Sequence, residues 1–315
     1  MPNITTGQGF GKTILFGEHF VVHGLPAIVA SLNCYTLASV QKCKNLHEPF
    51  EFIDLRPKIS QFIELKYFAY KNMIKNILEF FKIQDCLQIT LSGNLIVCSS
   101  GIGASAAAAV AISKAINNFY NFNYDNNFLN QAAFAGELAI HGNPSGIDNT
   151  AALLGKIFSF QKFCNNNFNN NIIQEINIKN KINCVLVDSG VQPNIKKILS
   201  EVSILKTKYK NKFDDIFKKY LEIYNIALKA LSDFDLNLLG QLMFENHELL
   251  REFTVSCEQL DKIVALANKF GASGAKLTGT GRGGLVLVLT PDQDLQQFVA
   301  KNFEKLNYKI LKISI

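Results

Sequence analysis

Apolar and polar positions change period several times along the chain, and each change marks an element. Over residues 12–32 Ile, Val, Leu and Phe dominate, broken at Gly17 and Gly24, which predicts two strands around a tight polar turn, Gly17-Glu18-His19. Apolar residues recur at helical spacing over 59–83, and 87–97 alternates as a strand does. A glycine and serine loop at 99–105 leads into a predicted helix over 106–119, and another helix is expected over 126–140. Proline and two glycines in His141-Gly142-Asn143-Pro144-Ser145-Gly146 stop it, and a short helix starts near Ser145.

Residues 165–180 are loaded with asparagine and carry little apolar content beyond Phe168, Ile172, Ile173, Ile176 and Ile178. The domain joint is placed just after this low-complexity stretch, which gives an N-terminal domain over 1–182 and a C-terminal domain over 183–315. Beyond it a short buried strand at 184–187 precedes helical stretches at 195–232, 235–252 and 256–269. Strands at 274–278 and 285–290 flank the loop Gly279-Thr280-Gly281-Arg282-Gly283-Gly284, and a helix over 292–303 precedes a last strand at 308–314.

Two domains suit 315 residues better than one core. With 48% apolar and 18% charged residues, such a chain buries a sizeable core, and wholesale disorder is excluded. Seven cysteines form no CxxC pair and no metal-like cluster with the five histidines, so reduced thiols are expected. Lys12 and Glu18 interrupt the first apolar stretch, and the alanine-rich run near 104–112 is too short to span a bilayer. The reading is a cytoplasmic protein without a membrane partner. The net charge of +6 is scattered, and its densest group, 206–219, alternates with apolar residues at helical spacing. That is a solvated helix face and not a nucleic-acid stripe. A homodimer is neither required nor excluded.

The candidate chemistry begins in Cys98-Ser-Ser-Gly-Ile-Gly-Ala-Ser-Ala-Ala107, between a predicted strand and a helix. Small residues let backbone N–H groups approach a phosphate, and the helix N-terminus adds partial positive charge. Ser105 stands where a hydroxyl ligates the Mg²⁺ bridging two phosphates, although no Gly-Lys-Ser follows as in a Walker A loop; a serine-capped helix after a flexible loop is the plainer alternative. Glu137 and Asp148 flank the His-Gly-Asn-Pro-Ser-Gly turn, which can bring both carboxylates together. Glu137 fits a metal ligand and Asp148 a base, or else Asp148 caps a helix and Glu137 is a helical surface residue. His141 reads as a turn residue. Lys12 lies too far from Glu18 in one strand for a direct salt bridge, which leaves its ammonium to stabilise developing charge at a phosphoryl group or to sit on a surface. Arg282 in the last glycine-rich loop contacts a phosphate or points to solvent.

Together these segments resemble the three motifs of the GHMP kinases, the superfamily named for galactokinase, homoserine kinase, mevalonate kinase and phosphomevalonate kinase. Gly11-Lys-Thr-Ile-Leu-Phe-Gly-Glu-His-Phe-Val-Val-His-Gly24 is similar to the first motif, Gly101-Ile-Gly-Ala-Ser-Ala-Ala107 to the second and Lys276-Leu-Thr-Gly-Thr-Gly-Arg-Gly-Gly284 to the third. Gly136-Glu137 with His141-Gly-Asn-Pro-Ser-Gly-Ile-Asp-Asn149, and the Glu18-His19 turn, resemble the mevalonate-phosphorylating branch. The resemblance implies an α+β two-domain fold: an N-terminal ribosomal protein S5 domain 2-like α/β domain with a left-handed βαβ crossover, and a C-terminal ferredoxin-like domain, with the active site between them.

It further implies ATP and Mg²⁺ as cofactors, and transfer of the γ-phosphate to the primary C5 hydroxyl of mevalonate. Lys12 and Asp148 would flank that hydroxyl, Ser105 and Glu137 would hold Mg²⁺, and Ser99, Ser100, Gly101, Gly103, Ala104, Ser105 and Ala106 would line the triphosphate. Glu18 and His19 would line the mevalonate pocket, with Gly279, Thr280 and Gly281 shaping it. Phe10 stands where the family has proline, Ala104 replaces a serine, Arg282 interrupts a run of glycines, and Asn194-Ile195-Lys196 lacks a threonine often present there. A phosphomevalonate or sugar kinase of the same superfamily, or a non-catalytic nucleotide-binding regulator, are the rival readings.

Overall fold

The computed structural model describes residues 4–43, 49–57, 63–95, 101–142, 144–162 and 171–315. Packing divides the chain into two units, neither contiguous in sequence. The described residues of Met1–Lys12, Ser31–Cys98 and Ile102–Gly155 form one, and those of Thr13–Ala30, Ser99–Gly101 and Lys156–Ile315 form the other.

The first unit contains the start of β1 (Thr5–Phe16) and most of β2 (Ala27–Lys42), with β3 (Phe50–Asp54) and β4 (Leu87–Gly93). β1 pairs with β2; β4 pairs antiparallel with β2 from Thr36↔Gly93 to Lys42↔Leu87 and parallel with β3. Four helices belong to it: α1 (Ile63–Phe81), α2 (Ala104–Tyr120), α3 (Asn126–His141) and α4 (Ile147–Leu154). α2 buries every residue from Ala106 to Ser113, so it is a core helix with small residues all round. Glycines on β1 make that close approach possible: a Cβ on Gly7 would lie 2.3 Å from the Ala111 carbonyl oxygen, and one on Gly9 would lie 2.1 Å from that of Ala107. The ring of Phe10, where the family has proline, packs on Gly155, whose Cβ would come within 2.6 Å of it.

α3 begins at Asp125, whose side chain accepts from the Phe128 N–H at 2.9 Å. α4 follows Gly146, which has φ of 84°. Buried amides join the two helices: Asn149 Nδ2 donates to Asn130 Oδ1 at 2.7 Å, and Asn130 Nδ2 donates to Thr150 Oγ1 at 3.1 Å. Asp148 is therefore fixed by its neighbours in sequence.

The second unit contains the end of β1, the 17–19 turn, a 3-10 turn at Phe20–His23 and the start of β2, whose Ala27–Ala30 pairs with β5 (Ile157–Gln161). β6 (Ile172–Ile176) pairs with β5. A four-stranded antiparallel sheet has the order β10 (Ile310–Ser314), β7 (Asn183–Asp188), β9 (Leu285–Leu289), β8 (Gly274–Thr278). Counted from β7, that is 4-1-3-2, the ferredoxin-like arrangement the resemblance implied. Its helices are α5 (Ile195–Lys208), α6 (Lys210–Asp233), α7 (Leu236–Glu252), α8 (Glu258–Lys269) and α9 (Gln293–Lys305). Phenylalanines fill much of this unit: Phe20 stacks on Tyr220 at 3.9 Å, and Phe253 lies within 6.0 Å of His19, Phe20 and Phe213.

Three features depart from expectation. Strands β3, β5 and β6, of five residues each, were not among the predicted elements. The helical stretch expected over 195–232 breaks at Tyr209 (φ −122°, ψ 47°), where Lys206 and Lys208 favour a helix C-terminus. Cys43 and Cys86 form a disulfide where reduced thiols were expected. The β2–β4 register explains that correction, since Lys42↔Leu87 is the last pair and the two cysteines follow it at a Cα separation of 5.3 Å. Among the described residues no helix is long and apolar enough to cross a membrane.

Candidate active site

The first unit brings together Lys12, Ser105, Glu137 and Asp148, which the sequence spreads over more than a hundred positions. The Lys12 backbone N–H donates to the Ile102 carbonyl at 2.9 Å, fixing β1 to the loop ahead of α2. Gly103 caps α2 in the left-handed region (φ 68°), and a Cβ there would lie 2.9 Å from Lys12 Cγ. The lysine stem thus lies across the loop, and its Nζ reaches Asp148 Oδ1 at 3.2 Å. Asp148 stands in the first turn of α4, where the helix dipole favours an anion, and is about one-third exposed, so a ligand can reach it.

Ser105 is the second residue of α2, and its Oγ lies 3.3 Å from Glu137 Oε2. Glu137 is buried on α3 beside Gly136, where a Cβ would come 2.9 Å from Ile77 Cδ1 on α1. Burial first, and the charge of Asp148 second, push the Glu137 carboxyl up to about 8, against the opposing effects of Ser105 and Lys12. Its Oε1 is buried without a hydrogen-bond partner among the described residues. A buried carboxylate with an orphaned oxygen beside a hydroxyl is a donor set that a hard divalent cation satisfies, so these residues fit Mg²⁺. Among the described residues no group of three or more His, Cys, Asp or Glu could hold a metal, and the remaining ligands would be phosphate oxygens and water.

His141, read from sequence as a turn residue, ends α3 with Nε2 3.1 Å from Ser105 Oγ and 3.6 Å from Glu137 Oε2. Burial lowers its pKa. Its place one helical turn after Glu137 was the available signal. Gly101, Gly103, Ala104 and Ala106 stand in or beside the loop as expected; Ser99 and Ser100 lie outside the described residues.

The second unit holds the other candidates. Gly17 (φ 113°) turns the chain so tightly that a Cβ would lie 2.5 Å from Ala27 Cβ. Glu18 is fully buried and paired with Lys276 of β8, a partner that sequence reasoning did not assign. Burial lowers the Lys276 pKa, while Glu18 raises it. Threonines fasten the same region, with the Ile14 N–H donating to Thr278 Oγ1 at 3.2 Å. His19 Nε2 lies 2.6 Å from the Thr280 carbonyl and so carries the proton as its donor. Burial lowers the His19 pKa, and its Nδ1, an acceptor, has no hydrogen-bond partner among the described residues.

Gly279 (φ 89°) and Gly281 (φ 75°) shape the loop, and a Cβ on Gly281 would lie 2.0 Å from the Val255 carbonyl oxygen. Arg282 takes neither of its expected roles: Nη1 pairs with Glu201 on α5, and Nε donates to the Thr254 carbonyl at 2.9 Å, which ties the loop down. Asn194, at the departure near α5, caps that helix by accepting from the Lys197 N–H at 3.1 Å.

Residues 68–156 match the family model described as the GHMP kinases N terminal domain, and 227–309 match that described as GHMP kinases C terminal. The crystal structure of L. major mevalonate kinase in complex with R-mevalonate superposes with a TM-score of 0.93 at 34% identity, covering 100% of this chain and 96% of that one. The curated mevalonate kinase of Methanocaldococcus jannaschii is 28% identical over 95% of this chain and 96% of its own length. A galactokinase of Lactococcus lactis complexed with galactose shares the fold, with a TM-score of 0.74 at 18% identity over 99% of this chain and 94% of that one. With such full-length similarity at 34% identity, and both halves of the chain matched by the family's models, the chain belongs to the GHMP kinases, in the mevalonate kinase family.

Proposed function

We propose that this enzyme transfers the γ-phosphate of ATP to the C5 hydroxyl of mevalonate, giving 5-phosphomevalonate and ADP. The convergence of Lys12 Nζ on Asp148 Oδ1 at 3.2 Å, beside a phosphate-type loop, carries the reading. The substrate oxygen attacks the γ-phosphorus as the bond to the β-phosphate oxygen breaks, and ADP leaves with that electron pair. Asp148 accepts the hydroxyl proton. The Lys12 ammonium balances negative charge growing on the transferred group and orients the Asp148 carboxylate.

Ser105 and Glu137 would hold Mg²⁺, which when bound neutralises phosphate charge and aligns the triphosphate. Backbone N–H groups at the start of α2 would receive the phosphates. His19, neutral through burial, offers in Nδ1 an acceptor suited to a substrate hydroxyl and not to a carboxylate or phosphate oxygen. Glu18, paired with Lys276, serves the substrate by holding the 17–19 turn.

The test is a panel of alcohols. Purified protein with ATP and Mg²⁺ is offered mevalonate, phosphomevalonate, galactose and homoserine, and ADP is followed. Mevalonate is expected to yield ADP at rates of the order of 1–100 s⁻¹. ADP from another alcohol and none from mevalonate would overturn the substrate, and no ADP from any would overturn the kinase reading.

A further inference from the structure

The start of α2 is braced from behind by a residue with no place in the mechanism. Arg56, just after β3, is a fully buried cation, with its side chain at 0% exposure. Its Nε and Nη2 donate to the two carboxylate oxygens of Asp54 at 2.9 and 3.0 Å, and its Nη1 donates to the Ala104 carbonyl at 3.2 Å. Its guanidinium also lies 4.7 Å over the Tyr70 ring of α1. Ala104 is the first residue of α2.

The bidentate Arg56–Asp54 pair carries no net charge, so its effect on α2 runs through the bond to Ala104. The carbonyls of Ile102, Gly103 and Ala104 accept from the Lys12 N–H, the Ala107 N–H and Arg56 Nη1 respectively. With those three oxygens held back, the opposite ends of the peptide dipoles are left for an anion. Lysine could not replace arginine here, because Asp54 and Ala104 are engaged at once through a planar fork.

We propose that Arg56, oriented by Asp54, is a positioning residue for the nucleotide: it fixes the Ala104 peptide at the start of α2, behind the phosphate loop, without touching the phosphates. This rests on 101–106 being that loop. Calorimetric Kd values for ADP and for mevalonate, measured on wild type, Arg56→Met and Arg56→Lys, test it. Arg56→Met is expected to weaken ADP binding about ten- to a hundredfold, the range of a lost charge-assisted hydrogen bond, while mevalonate binding stays within about twofold. Arg56→Lys keeps the charge and loses the fork, and is expected to weaken ADP about three- to tenfold with mevalonate unchanged.

Equal weakening of both ligands marks a merely structural role and overturns the proposal, as does unaltered ADP affinity in Arg56→Lys. Should thermal melting show Arg56→Met unfolded, Arg56→Lys decides alone by the same criterion. Wild-type protein that binds mevalonate but no ADP would instead refute the nucleotide reading, and this inference with it.

Discussion

Asp148 shows how three neighbourhoods prepare one residue for the role proposed for it. The turn before it requires Gly146 at φ 84°, the residues after it are held by buried amide bonds to α3, and its carboxylate meets the Lys12 ammonium. Replacing it by Asn keeps the shape and an acceptor for Lys12 but leaves nothing to take the proton. Asp148→Asn is therefore expected to lower kcat by about 10²–10⁴-fold with ADP affinity nearly unchanged. Steady-state kinetics with calorimetry on the same preparation check this, and near-normal turnover would refute the base assignment. The motifs that carry Asp148, Lys12 and Ser105 stand out in the sequence because glycine and proline punctuation brackets them. His141 and Lys276 do not stand out in this way, since a lone histidine or lysine has many fates, and only the 3.1 Å approach to Ser105 and the buried pair with Glu18 place them beside the candidate residues.

At the scale of elements, the site depends on how closely β1 and α2 lie. Gly9 has no positive φ to relieve, so its sole demand is space, and a Cβ would stand 2.1 Å from the Ala107 carbonyl oxygen. Backbone cannot yield there without moving the loop that α2 carries. Gly9→Ala is expected to destabilise the protein by about 1–3 kcal/mol and to raise KM for ATP more than KM for mevalonate. Denaturant unfolding and two-substrate kinetics measure both; stability unchanged within about 0.5 kcal/mol would show that the strand and helix separate freely. The long helices were readable from apolar spacing, and the structure adds the caps Asp125 and Asp235, whose side chains accept from N–H groups three residues on. Strand β6 was not, because its residues Ile172 to Glu175 are exposed, so no alternation marks it, and pairing with β5 alone defines it.

Over the whole molecule, the two packed units interleave along the chain, with Thr13–Ala30 grouped with residues beyond Lys156. Contact grouping of this kind leaves no compositional trace, which is why local sequence suggests a single joint, whereas the 4-1-3-2 sheet follows from a strand-and-helix order that the sequence largely displays. The second unit also concentrates histidines kept neutral by burial: His19 is lowered, and His23 and His247 are each lowered to about 4. A histidine whose folded pKa lies below its unfolded value near 6.5 binds more protons when unfolded. Its penalty is absent above 6.5 and grows as pH falls toward 4. His247 is buried, accepts from the Leu277 N–H at 3.3 Å and faces Asp261 at 3.1 Å, so protonating it removes an acceptor that β8 uses. From pH 7 to 5 this single group is expected to cost on the order of 2 kcal/mol. Urea unfolding of wild type and His247→Gln at both pH values isolates the effect, because the variant's own stability loss cancels in the difference between them. Its acid loss should be smaller by about that amount, and equal losses in the two proteins would show that His247 does not drive the acid sensitivity.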